Sequence, residues 1–212
     1  MYKGKFFIKD FFRTLSRVWG FRETGFPYSG IYLFTGGQGS GKTLNAVQFI
    51  CDIKKEYPEC MIISNIPLNI DGVIEYKGLE DFESYNNGDK GIIYFLDEIQ
   101  SLYSSMQSKG VSDSNLYIWS QNRKNRRVII GTSQRFTRVA KPIREQTRYL
   151  YDMRGHILNI FSFREYDGYC FDDDGNYTDE LPKVRMCCPS IEAYDTYDTK
   201  YVVKWKGDKL NA

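Results

Sequence analysis

Ile31-Tyr-Leu-Phe-Thr-Gly36-Gly-Gln-Gly-Ser-Gly41-Lys42-Thr43-Leu-Asn-Ala-Val47 decides the fold of this chain. Gly36 to Thr43 matches G-x-x-x-x-G-K-[ST] at every fixed position. The match lies after a short apolar strand (31–34) and before a helix over 43–54, whose Leu44, Val47, Ile50 and Ile53 share one face. Glycines let successive backbone N–H groups turn inward around phosphate oxygens, and the helix start near Gly41 adds the positive end of its dipole. Gly36, Gly37, Gln38, Gly39, Ser40, Gly41, Lys42 and Thr43 are therefore the candidate nucleotide-binding residues. Lys42 would reach the β- and γ-phosphates, and the Thr43 hydroxyl would ligate Mg²⁺. ATP and Mg²⁺ are the expected cofactors.

Further along, Ile92-Ile-Tyr-Phe-Leu96-Asp97-Glu98 is an apolar strand that delivers carboxylates to its C-terminal edge, where open α/β sheets bind ligands. Asp97 is expected in the Mg²⁺ shell and Glu98 as the general base that polarises the attacking water. The plainer alternative has Asp97 capping the next segment and Glu98 solvated. Val128-Ile-Ile-Gly131-Thr132-Ser133-Gln134 ends another strand in polar residues. Gln134, whose amide both donates and accepts, is the candidate to sit between water and the γ-phosphate, against a plain strand-end loop.

Apolar strands at 61–63, 92–96, 128–130 and 149–151, with a helix at 114–122, imply a mainly parallel α/β sheet covered on both faces. Residues 157–164, 169–171 and 201–205 read as β, with Asp172-Asp-Asp-Gly175 a hairpin turn. Asp172-x-Asp174-x-Asn176 begins like a calcium loop, but Tyr177 stands where glycine is required. The expected organisation is a basic, aromatic N-terminal segment (1–29), a nucleotide-binding core (30–154) and a small β-rich C-terminal appendage (155–212).

Composition excludes other classes. Five cysteines without a CxxC pair and a single histidine, His156, leave no zinc site or disulfide framework, so reduced thiols are expected. Aromatics at 16% and near-balanced charge (29 basic, 27 acidic) exclude a disordered chain. No apolar run approaches the ~20 residues of a spanning helix, and Phe6-Phe7-Ile8 is broken at once by Lys9-Asp10, so no secretory signal is read.

Charge is nonetheless local. Arg123, Lys124, Arg126, Arg127, Arg135, Arg138, Lys141, Arg144 and Arg148 face only Glu145 between 122 and 148. The cluster fits a nucleic-acid channel, an arginine finger reaching a neighbour's nucleotide, or a solvated face paired with acidic residues near 172–174. Phe7, Phe11, Leu15 and Val18 form an amphipathic stripe that fits a membrane surface, a partner or the chain's own core.

The order of phosphate loop, Ser64-Asn65-Ile66-Pro67, Asp97-Glu98-Ile99-Gln100, an Arg-rich segment, Thr132-Ser133-Gln134, Pro142-Ile143-Arg144-Glu145 and Tyr194-Asp-Thr-Tyr197 resembles the zonular occludens toxin-like (Zot) ATPases of filamentous phages. These belong to the wider FtsK/HerA group of DNA-translocating and genome-packaging ATPases. The resemblance, over about residues 30–200, implies a P-loop NTPase of the additional-strand, catalytic-glutamate type. It assigns Lys42 and Thr43 to nucleotide and Mg²⁺, Asp97 and Glu98 to the second nucleotide motif and Gln134 to the sensor position. It further implies a ring homo-oligomer, a hexamer, with an arginine finger in trans; Arg123, Arg127 and Arg144 are the candidates.

Ser133 stands where the group often has Thr. Filamentous-phage members usually continue into a membrane span that is not read here, which turns the expectation toward a compact packaging motor. DNA is then the expected partner, with capsid or membrane proteins engaged through residues 1–24. The expected location is the host cytoplasm or the virion, including a peripheral membrane position. The rival is a nucleotide-switched assembly factor at a membrane that moves no DNA. A P-loop kinase is disfavoured by the adjacent Asp97-Glu98 pair and the lack of a lid segment.

Overall fold

The computed structural model describes residues 25–101, 122, 125–172, 175–178 and 181–198. The stripe at 7–18, most of the helix expected at 114–122, Arg123, Lys124 and the strand expected at 201–205 lie outside these residues. One eight-stranded sheet organises the rest, in the order β3-β2-β4-β5-β1-β6-β7-β8. Its strands are β1 (Gly30–Thr35), β2 (Met61–Ser64), β3 (Ile74–Glu75), β4 (Ile92–Leu96), β5 (Arg127–Ser133), β6 (Thr147–Ile157), β7 (Ile160–Asp167) and β8 (Lys183–Cys187). Strands β1 to β6 pair in parallel, and β7 and β8 continue the same sheet antiparallel.

Continuous apolar strands serve a sheet with two buried faces. Tyr32, Phe34, Ile62, Phe95 and Ile130 point to one face and pack with Val47, Phe49 and Ile50 of α1 (Lys42–Glu56). Ile31, Leu33, Ile63, Tyr94, Leu96 and Ile129 point to the other, against Phe82 of α2 (Asp81–Ser84) and Ile143 of α3 (Lys141–Glu145). Each such side chain, once fully buried, contributes about 1.5–3 kcal/mol. Lys54 and Lys55 in the last turn of α1 complement its dipole.

The order of strands matters most for function. β5 lies between β1, which carries the phosphate loop, and β4, which carries the carboxylate pair. Thr132 is in register with Phe34, and Gly131 with Leu96, so the end of β5 is wedged between the two motifs.

The C-terminal part departs from its reading in several places. The single β run expected over 157–164 is a hairpin: Leu158 (φ 48°) and Asn159 (φ 66°) form the tight turn between β6 and β7. Both central residues take positive φ, as a two-residue hairpin turn that matches strand twist requires. Residues 169–171 are not a strand. Gly168–Cys170 is a 3₁₀ turn, because the Asp167 side chain accepts from the Tyr169 N–H, and only Phe171 bridges to Tyr177. β3, β8 and α4 (Ile191–Thr196) were not read from sequence. β6 itself runs across position 154/155, so the β-rich part extends the core sheet directly. At the other end Phe26 and Tyr28 are core residues that meet the Tyr57 ring edge-to-face, so residues 26–28 belong to the fold. Among the described residues no helix is long and apolar enough to cross a membrane.

Candidate active site

The phosphate loop leaves β1 and enters α1 through three glycines with positive φ: Gly36 (145°), Gly39 (74°) and Gly41 (86°). At two of them space matters as well as conformation. A Cβ on Gly36 would stand 2.6 Å from the Met153 carbonyl oxygen, and one on Gly41 would stand 2.2 Å from the Phe161 ring. The loop is thus pressed onto β6 and β7. Its crest, Gly37 to Gly39, is exposed. The Ser40 hydroxyl is buried and has no hydrogen-bond partner among the described residues, as expected of a loop shaped for an anion.

Lys42 donates to the Gly37 carbonyl at 2.9 Å, bending its ammonium back over the loop. Burial lowers its pKa below the ordinary lysine value, and the charges of Glu98 and Asp97 oppose that shift. A nearby phosphate would oppose that shift further.

Asp97 follows the last residue of β4 and is nearly fully buried. Its Oδ1 accepts from the Thr43 hydroxyl at 3.0 Å and from the Thr132 hydroxyl at 2.7 Å. Burial raises its carboxyl above the ordinary range, opposed by the Thr132 and Thr43 hydrogen bonds and by Lys42. Asn65 clasps the backbone of the same residue: its Oδ1 accepts from the Asp97 N–H at 2.8 Å, and its Nδ2 donates to the Asp97 carbonyl at 2.9 Å. The Thr132 hydroxyl in turn accepts the Glu98 N–H at 2.9 Å. Glu98 sits at φ 54°, a strained conformation for a residue with a side chain, and such strain gathers at functional sites. Gln100 donates its amide to the Glu98 carboxylate.

Lys42 bends over the loop nearby, while the structure brings Thr43 directly onto Asp97 and holds Asp97 and Glu98 through Thr132 and Asn65, which the sequence reading gave no role. Both lay in quoted motifs, and a polar residue closing an apolar strand was the available signal. Gln134 is not part of this network. It lies two residues past Thr132, exposed, with its side-chain oxygen accepting from Arg138 at 2.8 Å. The strand-end side chain that touches the carboxylate pair is Thr132.

Arg127 is corrected as a finger candidate. It opens β5 at the end of the strand opposite Thr132, is nearly fully buried and donates to the Tyr85 carbonyl at 3.2 Å. A guanidinium committed to its own core cannot reach a neighbour. Arg144 lies on α3 and donates to the Thr137 carbonyl at 3.2 Å at the surface. Arg123 lies outside the described residues.

A phosphate loop between β1 and α1, with β5 inserted before the carboxylate strand, makes this a P-loop NTPase fold with an additional strand. The crystal structure of the N-terminal domain of zonular occludens toxin from Neisseria meningitidis is similar to it, with a TM-score of 0.60 at 19% identity, over 80% of this chain and 99% of that one. Two further likenesses have a TM-score of 0.49. One is the genome packaging NTPase B204 from Sulfolobus turreted icosahedral virus 2 in complex with ATP-gammaS, at 11% identity over 76% of this chain and 98% of the other. The second is B204, the DNA-packaging ATPase from Sulfolobus turreted icosahedral virus, at 14% identity over 76% and 98%. No curated protein matches the sequence. Residues 30–164, more than half of the chain, match the family model described as Zonular occludens toxin (Zot), and the chain belongs to that family.

Proposed function

We propose that this chain hydrolyses ATP to ADP and phosphate with Mg²⁺, and that a ring of copies, a hexamer by family resemblance, uses that energy to move DNA into or out of a virus particle. The observation that carries the reading is the hydrogen-bonded chain Thr43–Asp97–Thr132–Glu98, which ties the phosphate loop to the carboxylate pair through the inserted strand. The donor set fits Mg²⁺. Thr43 Oγ1 and Asp97 Oδ1 are hard oxygens 3.0 Å apart. Among the described residues no group of three or more His, Cys, Asp or Glu could hold a metal, so the ion would share its shell with the phosphates. When bound, it would neutralise charge on the β- and γ-phosphate oxygens.

The protein's own groups supply the rest. Exposed N–H groups of the loop crest cradle the phosphates, and Lys42 exchanges the Gly37 carbonyl for a phosphate oxygen. Glu98 accepts a proton from the attacking water, and its backbone is held in place by Thr132. The surface basic residues between 122 and 148, Arg127 excepted, serve DNA phosphates or the neighbouring site. In the second reading ATP binding organises assembly at a membrane without translocation; the N-terminal basic, aromatic stripe favours it.

The test is steady-state ATPase rate against protein concentration, with and without double-stranded DNA at low salt, alongside Glu98→Gln. A motor gives a rate per subunit that rises with concentration and again with DNA, and loses the DNA effect with added salt. Glu98→Gln lowers the rate by about 10²–10⁴-fold while ATP binding persists. A flat, DNA-insensitive rate returns the assembly switch, and a Glu98→Gln rate near wild type removes Glu98 as the base.

A further inference from the structure

Along β7, Phe161 and Phe163 turn inward and are buried on the face of the sheet that α1 covers. The residues between them turn outward, where an antiparallel sheet with one solvated face should carry polar side chains. This end of the sheet does not. Ile157 lies opposite Ile160, Ser162 opposite Met186 and Arg164 opposite Val184, so these residues share the outer face. Ile157, Ile160, Val184 and Met186 are all exposed on it.

The turn between β6 and β7 is a second, separate observation. Leu158 is its first central residue, at φ 48° and 90% exposed. Asn, Asp or Gly suits that position, whereas a leucine there costs conformational energy and meets only water. Asn159 anchors the turn: its Nδ2 donates to the Pro189 carbonyl at 3.3 Å, and its Oδ1 accepts from the Tyr194 hydroxyl. The tip is thus braced from behind. β6 runs on from Asp152, its last partner on β1, to Ile157, so the tip stands roughly 15 Å along the strand beyond the end of β1.

Charge decides the occupant. Residues 153–164 and 183–191 contain Arg154, Arg164, Lys183 and Arg185 and no acidic residue. The carboxylates that pair with them sit deeper. The Arg154 side chain is 50% exposed against 23% for its partner Asp152, and Lys183 60% against 18% for Glu165. The outermost charge behind the apolar tip is therefore positive. Arg164 stands about 13 Å along the strand behind Ile160. An apolar point with such a collar matches an anionic bilayer: the tip enters the acyl boundary and the long basic side chains stay with the headgroups. We propose that the β6–β7 hairpin tip and the outer face of β8 form a membrane-docking surface, with Ile157, Leu158, Ile160 and Met186 entering an anionic lipid bilayer. The surface is distinct from the N-terminal stripe and does not depend on the nucleotide reading, since none of these residues belongs to the phosphate loop or the carboxylate pair.

The test is flotation of the full chain with vesicles of phosphatidylcholine alone and of phosphatidylcholine mixed with phosphatidylglycerol, comparing wild type with Leu158→Asn and Ile157→Ser. Leu181→Ser is the control, because Leu181 is exposed just before the far end of β8. Asn suits the turn, so Leu158→Asn keeps or raises the thermal midpoint. Expected for Leu158→Asn and for Ile157→Ser is an about 10-fold lower partition onto the anionic vesicles, the scale of one immersed aliphatic side chain. Leu181→Ser floats as wild type. Wild type partitions at least about 10-fold more weakly onto phosphatidylcholine alone, and added salt narrows that difference. Wild type that does not float with anionic vesicles overturns the proposal. So do tip variants that float as wild type does, which would leave residues 1–24 as the membrane contact. A self-association seen without lipid and abolished by Leu158→Asn would make this face a contact between copies and overturn it too. Flotation reads the surface whether or not the chain hydrolyses ATP, so its failure and that of the nucleotide reading are told apart.

Discussion

Asp97 carries two demands that pull against each other. It must be ionised to hold a cation, yet it is buried, and burial raises its pKa. A carboxyl whose pKa is higher folded than unfolded lends stability that is fully present below the unfolded pKa and is lost as pH rises through the folded pKa. Ionising Asp97 in the nucleotide-free protein therefore costs stability as pH rises. Asn at this position keeps an oxygen to accept from Thr43 and Thr132 and removes the charge. Asp97→Asn should melt at or above the wild-type temperature at about pH 7 without nucleotide, with a flatter stability profile above the carboxylate range. Its nucleotide affinity should depend less on Mg²⁺ than that of the wild type. Thermal melts across pH check this, and a clear drop in the melting temperature at neutral pH would refute the burial argument.

At the scale of elements, the phosphate loop is held from outside as much as from within. Gly41 combines φ 86° with the closest approach in the loop, 2.2 Å from a built Cβ to the Phe161 ring on β7. A Gly41→Ala chain meets both a conformational and a steric penalty, each on the order of 1–3 kcal/mol. Phe161→Ala removes the steric one only, and leaves a cavity. The double variant should be less destabilised than the sum of the single ones, with a coupling of about 0.5–3 kcal/mol in denaturant melts. Strict additivity would show that the loop does not lean on β7. The antiparallel end of the sheet is thus a support for the nucleotide site. The sequence showed the glycine pattern but could not show this neighbour, because 120 positions of chain separate Gly41 from Phe161.

The whole molecule presents its basic residues unevenly. Arg127 is buried inside and Arg126 pairs with Asp89, whereas Arg144 lies at the surface of α3. A finger in trans needs a guanidinium that another subunit can meet, and of the two described candidates Arg144 meets that condition. Arg144→Ala alone and Lys42→Ala alone should each lose at least about 10²-fold in ATPase rate, and mixing them should recover activity that neither shows. In the ring proposed above, mixing would let an intact loop face an intact arginine. Arg144→Ala turning over at the wild-type rate would exclude it and leave Arg123. Outward from the site, Ile157, Ile160, Val184 and Met186 are exposed on the antiparallel end of the sheet.

The sequence by itself determined whatever is encoded by neighbours in the chain. The strand–glycine loop–helix unit was legible because its chemistry needs eight consecutive residues, Gly36 to Thr43. Asp97 and Glu98 were legible because an apolar strand must end in the carboxylates it delivers. Tertiary structure alone decided which distant groups complete them. Thr132 rather than Gln134 meets the carboxylate pair because β5 enters between β1 and β4 in one register. Asn65 reaches the site from the end of β2, and Arg127 is withdrawn by its burial. Period and motif report which way a side chain faces along its own element; only the packing of one element on another fixes what it meets there.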